Sequence, residues 1–412
     1  MNVAGIVVEY NPLHNGHVYH IQKTRELTNC DVLIAVMSGN FNQRGIPSVI
    51  DKWNKTLTAL HNGVDLVIEL PVVYSLSSAE FFSFGAISLL NNLGVVNSLC
   101  FGSEYGEINL LDEVAEVLTD EPLEFKLMLK SRLDEGLSYP RARTLALLQY
   151  IENSPKKNMF FSNNDLKLDS HLNSSNNILG IEYIKSLKKL KSNINPMTIT
   201  RQGSDYNCEE LTNTFSSATS IRKFLKKSSD PKELNAHVPI YVYELLEKLN
   251  NSNYSFAFDD AIFPYVKYKS FINGNGIKHI PDASEGLHSK LLNALSHCSS
   301  LSSTIEEAKS KRYTYTRINR ILCQYFVGFD TYDTEILRKE HCPYAKVLGF
   351  NERGKSILKS IKQNSSIPLY TKVPKDLNDT LKLDIQATKA YSLINRNINY
   401  NDDYLISPLI IK

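Results

Sequence analysis

Over its first hundred residues the chain repeats one pattern, a short apolar run ending in glycine, proline or asparagine followed by an amphipathic stretch of helical period. The runs are Val3 to Val8, Asp31 to Met37, Asp65 to Leu70 and Ser98 to Phe101. They are too short for buried helices and rich in Val, Ile and Leu, so they read as strands covered on both faces. Between them, His17 to Thr28, Lys52 to Asn62 and Ser77 to Asn92 are long enough for crossover helices, and the last two are closed by Gly63 and Gly94. Strand and crossover helix in strict alternation predict a doubly wound, parallel α/β sheet.

A chain of 412 residues is too long for that unit alone; at about 150 residues per domain it allows two or three. After Glu107 helical periodicity continues at Asp112 to Leu118 and Glu124 to Leu133. A polar stretch from Asn153 to Asn177 reads as loop, and Ile178 to Leu190 with Met197 to Arg201 reads as one more helix and strand. Beyond residue 230 the segments Ile240 to Leu249, Leu287 to Ser296, Thr304 to Phe326 and Glu352 to Ile361 predict helices. The division expected is an α/β domain over 1–230 and a mostly helical domain over 231–412.

Composition narrows the function. With 46 basic and 44 acidic side chains the net charge is +2, which excludes a generally basic nucleic-acid coat, so any RNA contact has to be local. The start carries no basic leader, and no apolar run reaches about 18 residues, so a cytoplasmic protein without membrane attachment is expected. Cys30, Cys100, Cys208, Cys298, Cys323 and Cys342 stand singly. Apart from the adjacent His297 and Cys298 none has a histidine at zinc spacing; the pattern supports neither a disulfide framework nor a zinc ribbon, and no metal site is expected.

The sharpest local feature is Glu9-Tyr10-Asn11-Pro12-Leu13-His14-Asn15-Gly16-His17, between the first strand and the first helix. Ligands of parallel sheets bind outside the carboxyl ends of the strands, and a helix N-terminus favours phosphate. Gly16 permits close approach of the backbone. Histidines three apart at a helix start can donate to phosphoryl oxygens and to charge that develops at phosphorus. His14 and His17 are therefore the candidate catalytic residues, with the helix expected to begin at His17. His20, one turn on, reads as packing support.

That junction resembles the His-x-Gly-His signature of the nucleotidyltransferase superfamily. Ser217-Ala218-Thr219-Ser220-Ile221-Arg222 resembles its later Ser-Ser-Thr-x-Ile-Arg element, with alanine in place of the second serine. Met37-Ser38-Gly39-Asn40-Phe41-Asn42-Gln43-Arg44-Gly45, Asp51-Lys52-Trp53, Phe101-Gly102-Ser103-Glu104 and Asn176-Asn177-Ile178-Leu179-Gly180-Ile181-Glu182-Tyr183 make the chain similar to the tRNA(Met) cytidine acetate ligase family. Weaker echoes at Glu285-Gly286-Leu287, Lys311-Arg312-Tyr313-Thr314 and Val347-Leu348-Gly349-Phe350 extend the likeness over nearly the whole chain. The resemblance implies a nucleotidyltransferase-type, Rossmann-like fold. The activity it implies is activation of acetate by ATP to acetyl-adenylate, with release of pyrophosphate, and transfer of the acetyl group to the wobble cytidine of elongator tRNA(Met), with release of AMP. Magnesium would arrive bound to ATP, and no stable protein partner is implied.

Carried over by position, the ATP segment runs through Val7, Val8, Glu9, Tyr10, Asn11, Pro12, Leu13, His14, Asn15, Gly16, His17, Val18, Tyr19 and His20. Gly102, one asparagine of the Asn176–Asn177 pair, here taken as Asn176, and Arg201 complete it. Thr219 and Arg222 are candidate phosphate contacts, and Gln43, Arg44, Asp51 and Lys52 form a candidate substrate loop. For Asp51 a helix cap is the competing role. Read as one helix, Lys309, Arg312, Arg317 and Arg320 fall within roughly 140° of arc opposite Ile318, Ile321, Leu322 and Tyr325, a candidate tRNA-binding face with Tyr313 available for stacking. Lys185, Lys188, Lys189, Lys191, Lys223, Lys226 and Lys227 are weaker candidates. Two rival readings remain at this stage: a small-molecule adenylyltransferase of the same fold, and a non-catalytic RNA-binding factor with an idle nucleotide site.

Overall fold

The computed structural model describes residues 1–153, 172–201, 216–227 and 231–412; Cys208 and most of the stretch expected as loop before Asn177 lie outside them. The expected strands form: β1 (Val3–Val8), β2 (Val32–Ser38), β5 (Leu66–Leu70), β6 (Ser98–Ser103) and β7 (Asn195–Thr200), with a short β3–β4 hairpin at Phe41–Asn42 and Ile46–Pro47. Crossover helices α1 (Asn15–Thr28), α2 (Lys52–His61) and α4 (Ala79–Asn92) connect them, with a single turn α3 (Val72–Ser75) before α4. Pairing is parallel through β5-β2-β1-β6-β7. Strand period sorts the core: Val32, Ile34 and Val36 pack on one face with Leu66 and Ile68, while Leu33, Ala35 and Met37 pack on the other with Ile6 and Val8.

After β6 the chain forms α5 (Ile108–Asp120), α6 (Leu123–Asp134), α7 (Tyr139–Asn153) and α8 (Ser175–Lys189). α7 is absent from the sequence-based expectation, and α8 begins three residues earlier than Ile178, so Asn176 and Asn177 lie on its first turn rather than in a loop. Gly180 lets α8 lie close on β6: a Cβ there would stand 2.5 Å from the Phe101 ring.

Helix α9 (Ala218–Lys227) follows β7. The segment after 230 is mostly helical, with α10 (Ile240–Asn251), α11 (Phe263–Asn273), α12 (Leu287–His297), α13 (Leu301–Ala308) and α14 (Tyr315–Val327). The single helix expected over Thr304 to Phe326 is thus two. Between Ala308 and Ile318 no buried apolar residue sustains the period, and the Thr314 side chain accepts from Arg317 N–H to start α14 afresh. The same half also returns to the sheet. Strand β8 (Ala345–Phe350) pairs antiparallel with β5 and carries β9 (Leu369–Tyr370) and β10 (Leu409–Ile410) beside it, so 231–412 helps build the sheet it was expected to stand apart from.

Candidate functional site

A cavity of about 800 Å³ opens at the carboxyl ends of β1, β6 and β7, where the fold rule places a ligand. His14 and His17 line it, and their local geometry follows from the sequence around them. His14 is the N-cap of α1, with extended backbone (φ −139°, ψ 174°), so the helix begins at Asn15 and not at His17. His14 Nδ1 accepts from Gly16 N–H at 3.1 Å, and His17 Nδ1 accepts from His14 N–H at 3.2 Å. This is a capping box made by two imidazoles in place of the usual hydroxyl and carboxylate. The rings stack with centroids 3.7 Å apart.

Because both Nδ1 atoms accept, a neutral ring must carry its proton on Nε2, leaving each histidine one donor. Both rings are neutral. Burial, then the charges of Arg201 and Arg222, push His14 down to about 3. Burial, then His14 and Arg201, hold His17 well below the usual histidine value. His20 also lines the cavity, and desolvation pushes it down to about 4.

Around the histidines stand the other expected nucleotide residues. Gly102, on β6, faces Arg201, just past β7: a Cβ on it would lie 3.1 Å from the Arg201 side chain. Asn176 lines the cavity and Asn177 does not; the Asn177 amide oxygen accepts from Glu104 N–H at 2.9 Å, a structural tie between α8 and the end of β6. Ser217 caps α9 by accepting from Ser220 N–H, and the Arg222 guanidinium donates to the Asn11 carbonyl at 2.7 Å. The first and last sequence motifs are thus locked to one another. Thr219 is not in the wall; its hydroxyl accepts from Arg222 and orients it.

Of the Val7–His20 segment, Pro12, Leu13, Asn15 and Val18 turn away from the cavity. Leu13 is buried in the core, Val18 packs beside it, and the Asn15 amide donates to the Ala236 carbonyl. Gln43 and Arg44 do line the cavity, with Glu9 accepting from Gln43 N–H at 2.6 Å. The other half of the expected substrate loop is a correction. Asp51 caps α2 through Trp53 and Asn54 N–H and accepts from Tyr254 OH. The Lys52 ammonium is buried against Glu69 at 2.8 Å and Asp403 at 2.7 Å. Neither can reach a ligand in the cavity.

The basic helix face is corrected too. Lys309 ends α13 and is exposed beside Glu306; Arg312 lies in the following turn, paired with Glu285. Arg317 and Arg320 are on α14, but with Arg312 they line the cavity wall instead of an outer surface. Tyr313 packs under Arg317 and donates to the Glu285 carbonyl. Among the weaker candidates Lys185 is buried against Glu182 and Glu80, and Lys188 and Lys226 are paired with acidic neighbours.

Sequence reasoning missed Asp282 and Arg143 and gave Glu182 no role beyond its place in the Asn176–Tyr183 motif; all three lie in the cavity wall. Arg143 and Glu182 form a buried ion pair joining α7 to α8. Their signals were weak, since Arg143 sits in a helix that carries no clear periodicity and Asp282 in a turn that reads only as Pro-Asp. Among the described residues one cluster has the donors for a metal, His297, Cys298 and Glu307; it lies on α12 and α13 and none of it lines the cavity. No described helix is long and apolar enough to cross a membrane.

Comparison with known proteins places these features in a family. Residues 1–404 match the model of the HIGH nucleotidyl transferases. The chain is 57% identical over 411 residues to the tRNA(Met) cytidine acetate ligase of Clostridium kluyveri, covering 100% of this chain and 99% of that one. To the enzyme of the same name from Clostridium novyi it is 52% identical, with both chains covered in full. Two crystal structures of Thermotoga maritima TmcAL, each 33% identical and spanning all of this chain, superpose with a TM-score of 0.87 for the apo form and 0.85 for the form bound with alpha-thio ATP.

Proposed function

This chain belongs to the HIGH nucleotidyl transferase family, among its tRNA(Met) cytidine acetate ligases, and from that premise we propose how its cavity carries out the reaction. It is an ATP-using ligase. A carboxylate oxygen of acetate attacks the α-phosphorus of ATP; the bond to the β-phosphate oxygen breaks and pyrophosphate leaves with the electron pair. The exocyclic amine of the wobble cytidine of elongator tRNA(Met) then attacks the acetyl carbonyl. AMP departs, the amine loses a proton, and N4-acetylcytidine remains.

The observation that carries this reading is the pair of neutral histidines at the start of α1, each with Nδ1 satisfied by backbone and only Nε2–H left to donate. Fixed donors in a dry site stabilise charge building on the α-phosphate without having to reorganise. Arg201 and Arg222 supply positive charge beside them. Acetate is itself the nucleophile, so positioning does most of the work and no covalent enzyme intermediate is needed. Magnesium is taken to enter on the ATP phosphates. Among the described residues the cavity carboxylates already have partners, Glu182 with Arg143, Glu80 with Lys185, Glu9 with Gln43 N–H and Asp282 with Arg338. Such a reaction belongs in the cytoplasm, with its tRNA.

The test is incubation with ATP, isotopically labelled acetate and elongator tRNA(Met), followed by mass spectrometry of nucleosides and chromatography of nucleotides. Label in cytidine together with AMP is expected. ADP formed in step with acetylation would overturn the adenylate route, and intact ATP with no label would return the protein to the binding-factor reading.

A further inference from the structure

We propose that Arg317 and Arg320, set in the cavity wall by Asp282, take a backbone phosphate of the RNA beside the nucleotide to be acetylated. This rests on a tRNA being the acceptor. Asp282 gathers more positive charge than it can neutralise. Its backbone carbonyl accepts from Arg317 Nε at 3.0 Å and Nη2 at 2.9 Å, its Oδ1 accepts from Arg338 at 2.9 Å, and its Oδ2 lies 3.9 Å from Arg320 Nε. Arg338 is shared with Glu335. Two carboxylates therefore face three guanidinium groups. Arg320 Nε and Asp282 Oδ2 are both buried and make no hydrogen bond. Burying charge that is only partly balanced is costly, and an anion between Arg317 and Arg320 would relieve it. Burial, and after it repulsion from Arg317 and Arg338, lowers the Arg320 pKa even though Asp282 pulls the other way.

The anion is a phosphate arriving from outside, and the wall itself says so. Arg312, Arg317 and Arg320 step inward along one side of the cavity, from a side chain 53% exposed at Arg312 to one 11% exposed at Arg320. Acetate needs one pair of donors; a stepped row of arginines running in from the rim suits a polyanion that threads a nucleotide inward. The positive end of α14 adds to it, since Thr314, Thr316, Arg317 and Arg320 at its start all line the cavity. The ATP phosphates have their own partners at the strand ends. Finally, the loop bearing Gln43 and Arg44 is fastened to this helix: Asn319 donates to the Arg44 carbonyl at 3.1 Å, and Gly45 (φ +80°) lies so close that a Cβ would stand 2.4 Å from Arg320 N.

The experiment is filter binding of tRNA to full-length wild type, Arg317→Gln and Arg320→Gln over a range of KCl, with a thermal melt of each. Loss of one phosphate contact should weaken binding by about tenfold at fixed salt and make the log–log salt slope shallower by about one. A purely structural ion pair would not alter that slope. If Arg320→Gln does not fold, Arg317→Gln decides, because its guanidinium hydrogen-bonds only a backbone carbonyl and the Ser284 hydroxyl and otherwise stacks on Tyr313. An unchanged slope in folded Arg317→Gln overturns the proposal. So does a raised KM for acetate in ATP–pyrophosphate exchange with tRNA binding intact, which would give the arginines to acetate. Wild-type acetylation run beside these assays separates the two failures, since absence of acetylcytidine there would overturn the ligase reading itself.

Discussion

The two sides of the cavity are built in opposite ways. On the strand-end side, His14, Gly16, His17, Gly102, Arg201 and Arg222 come from the first 222 residues, and the two histidines are fixed by hydrogen bonds to backbone no more than three residues away. Opposite them, Gln43 and Arg44 meet Asp282, Arg317 and Arg320 across more than two hundred residues of chain, joined by the seat of Gly45 against α14. The first side is half-buried around a buried His14, and its histidines are neutral; the second keeps excess positive charge and runs out to solvent. Chemistry at phosphorus needs rigid, dry donors, which a helix start supplies locally. Reception of a large polyanion needs charge and access, which only tertiary assembly brings together.

The hardest test of this contrast is His17→Ala. Removing one preorganised donor should lower acetate-dependent pyrophosphate release by ~10² or more. The alanine variant should still fold, because the ring's one intramolecular hydrogen bond is to His14 N–H. Near-normal release in a folded variant would move the chemistry away from the strand ends. A comparable fall in tRNA affinity would mean that the two sides do not work separately.

This asymmetry also decides what the sequence could disclose. The strand-end side is legible because turn, cap and phosphate chemistry all fall within one stretch from Glu9 to His17, next to a strand with an unmistakable apolar pattern. Its fine detail is less so: His14 caps the helix, which begins at Asn15 and not at His17, and an imidazole is seldom the cap. On the other side, a helical period read through Lys309 to Thr314 places four cations on one outer face, but α13 stops at Ala308 and α14 starts at Tyr315, so that face does not exist. Asp51 and Lys52 stood in a motif and were given chemistry, yet the first holds a helix start and the second neutralises carboxylates from β5 and the chain's far end. Strand β8 escaped because a short apolar run among helices looks like one more helical fragment until β5 is there to pair with it.

Acid provides the next largest effect and distinguishes the sides by titration. His14 and His20 have folded values of about 3 and about 4, below the 6.5 of an unfolded histidine, so between these limits the unfolded chain binds more protons. The stability they confer is complete above pH 6.5 and is lost as pH falls toward 4. Between pH 7 and 5 the loss should be about 2 kcal/mol for each histidine, read from denaturant unfolding at the two values. Arginines do not titrate there. Affinity for tRNA, corrected for the folded fraction, should hold over the same window while salt weakens it; a pH-dependent affinity would put histidine in contact with RNA.

The smallest effect concerns a residue that touches no ligand. Glu104, just past β6, accepts from the Asn176 side chain with Oε1 at 2.5 Å and from Asn177 N–H with Oε2 at 3.0 Å, pinning the start of α8 beside the nucleotide side. Glu104→Gln keeps one acceptor and turns the other into a donor facing a donor. It also removes a negative charge from a helix N-terminus, a contribution of about 0.3–1 kcal/mol. Asn176 should then be held less firmly. The expected result is a rise of ~3- to 10-fold in the KM for ATP, on the scale of one hydrogen bond to a charged group, with kcat less affected because the histidines stay in place. The tRNA salt slope should not move, since Glu104 does not line the cavity. If ATP affinity held and the slope changed instead, α8 would belong to the RNA side, and the boundary between the two sides would run along β6 rather than between β1 and the Gln43–Gly45 loop.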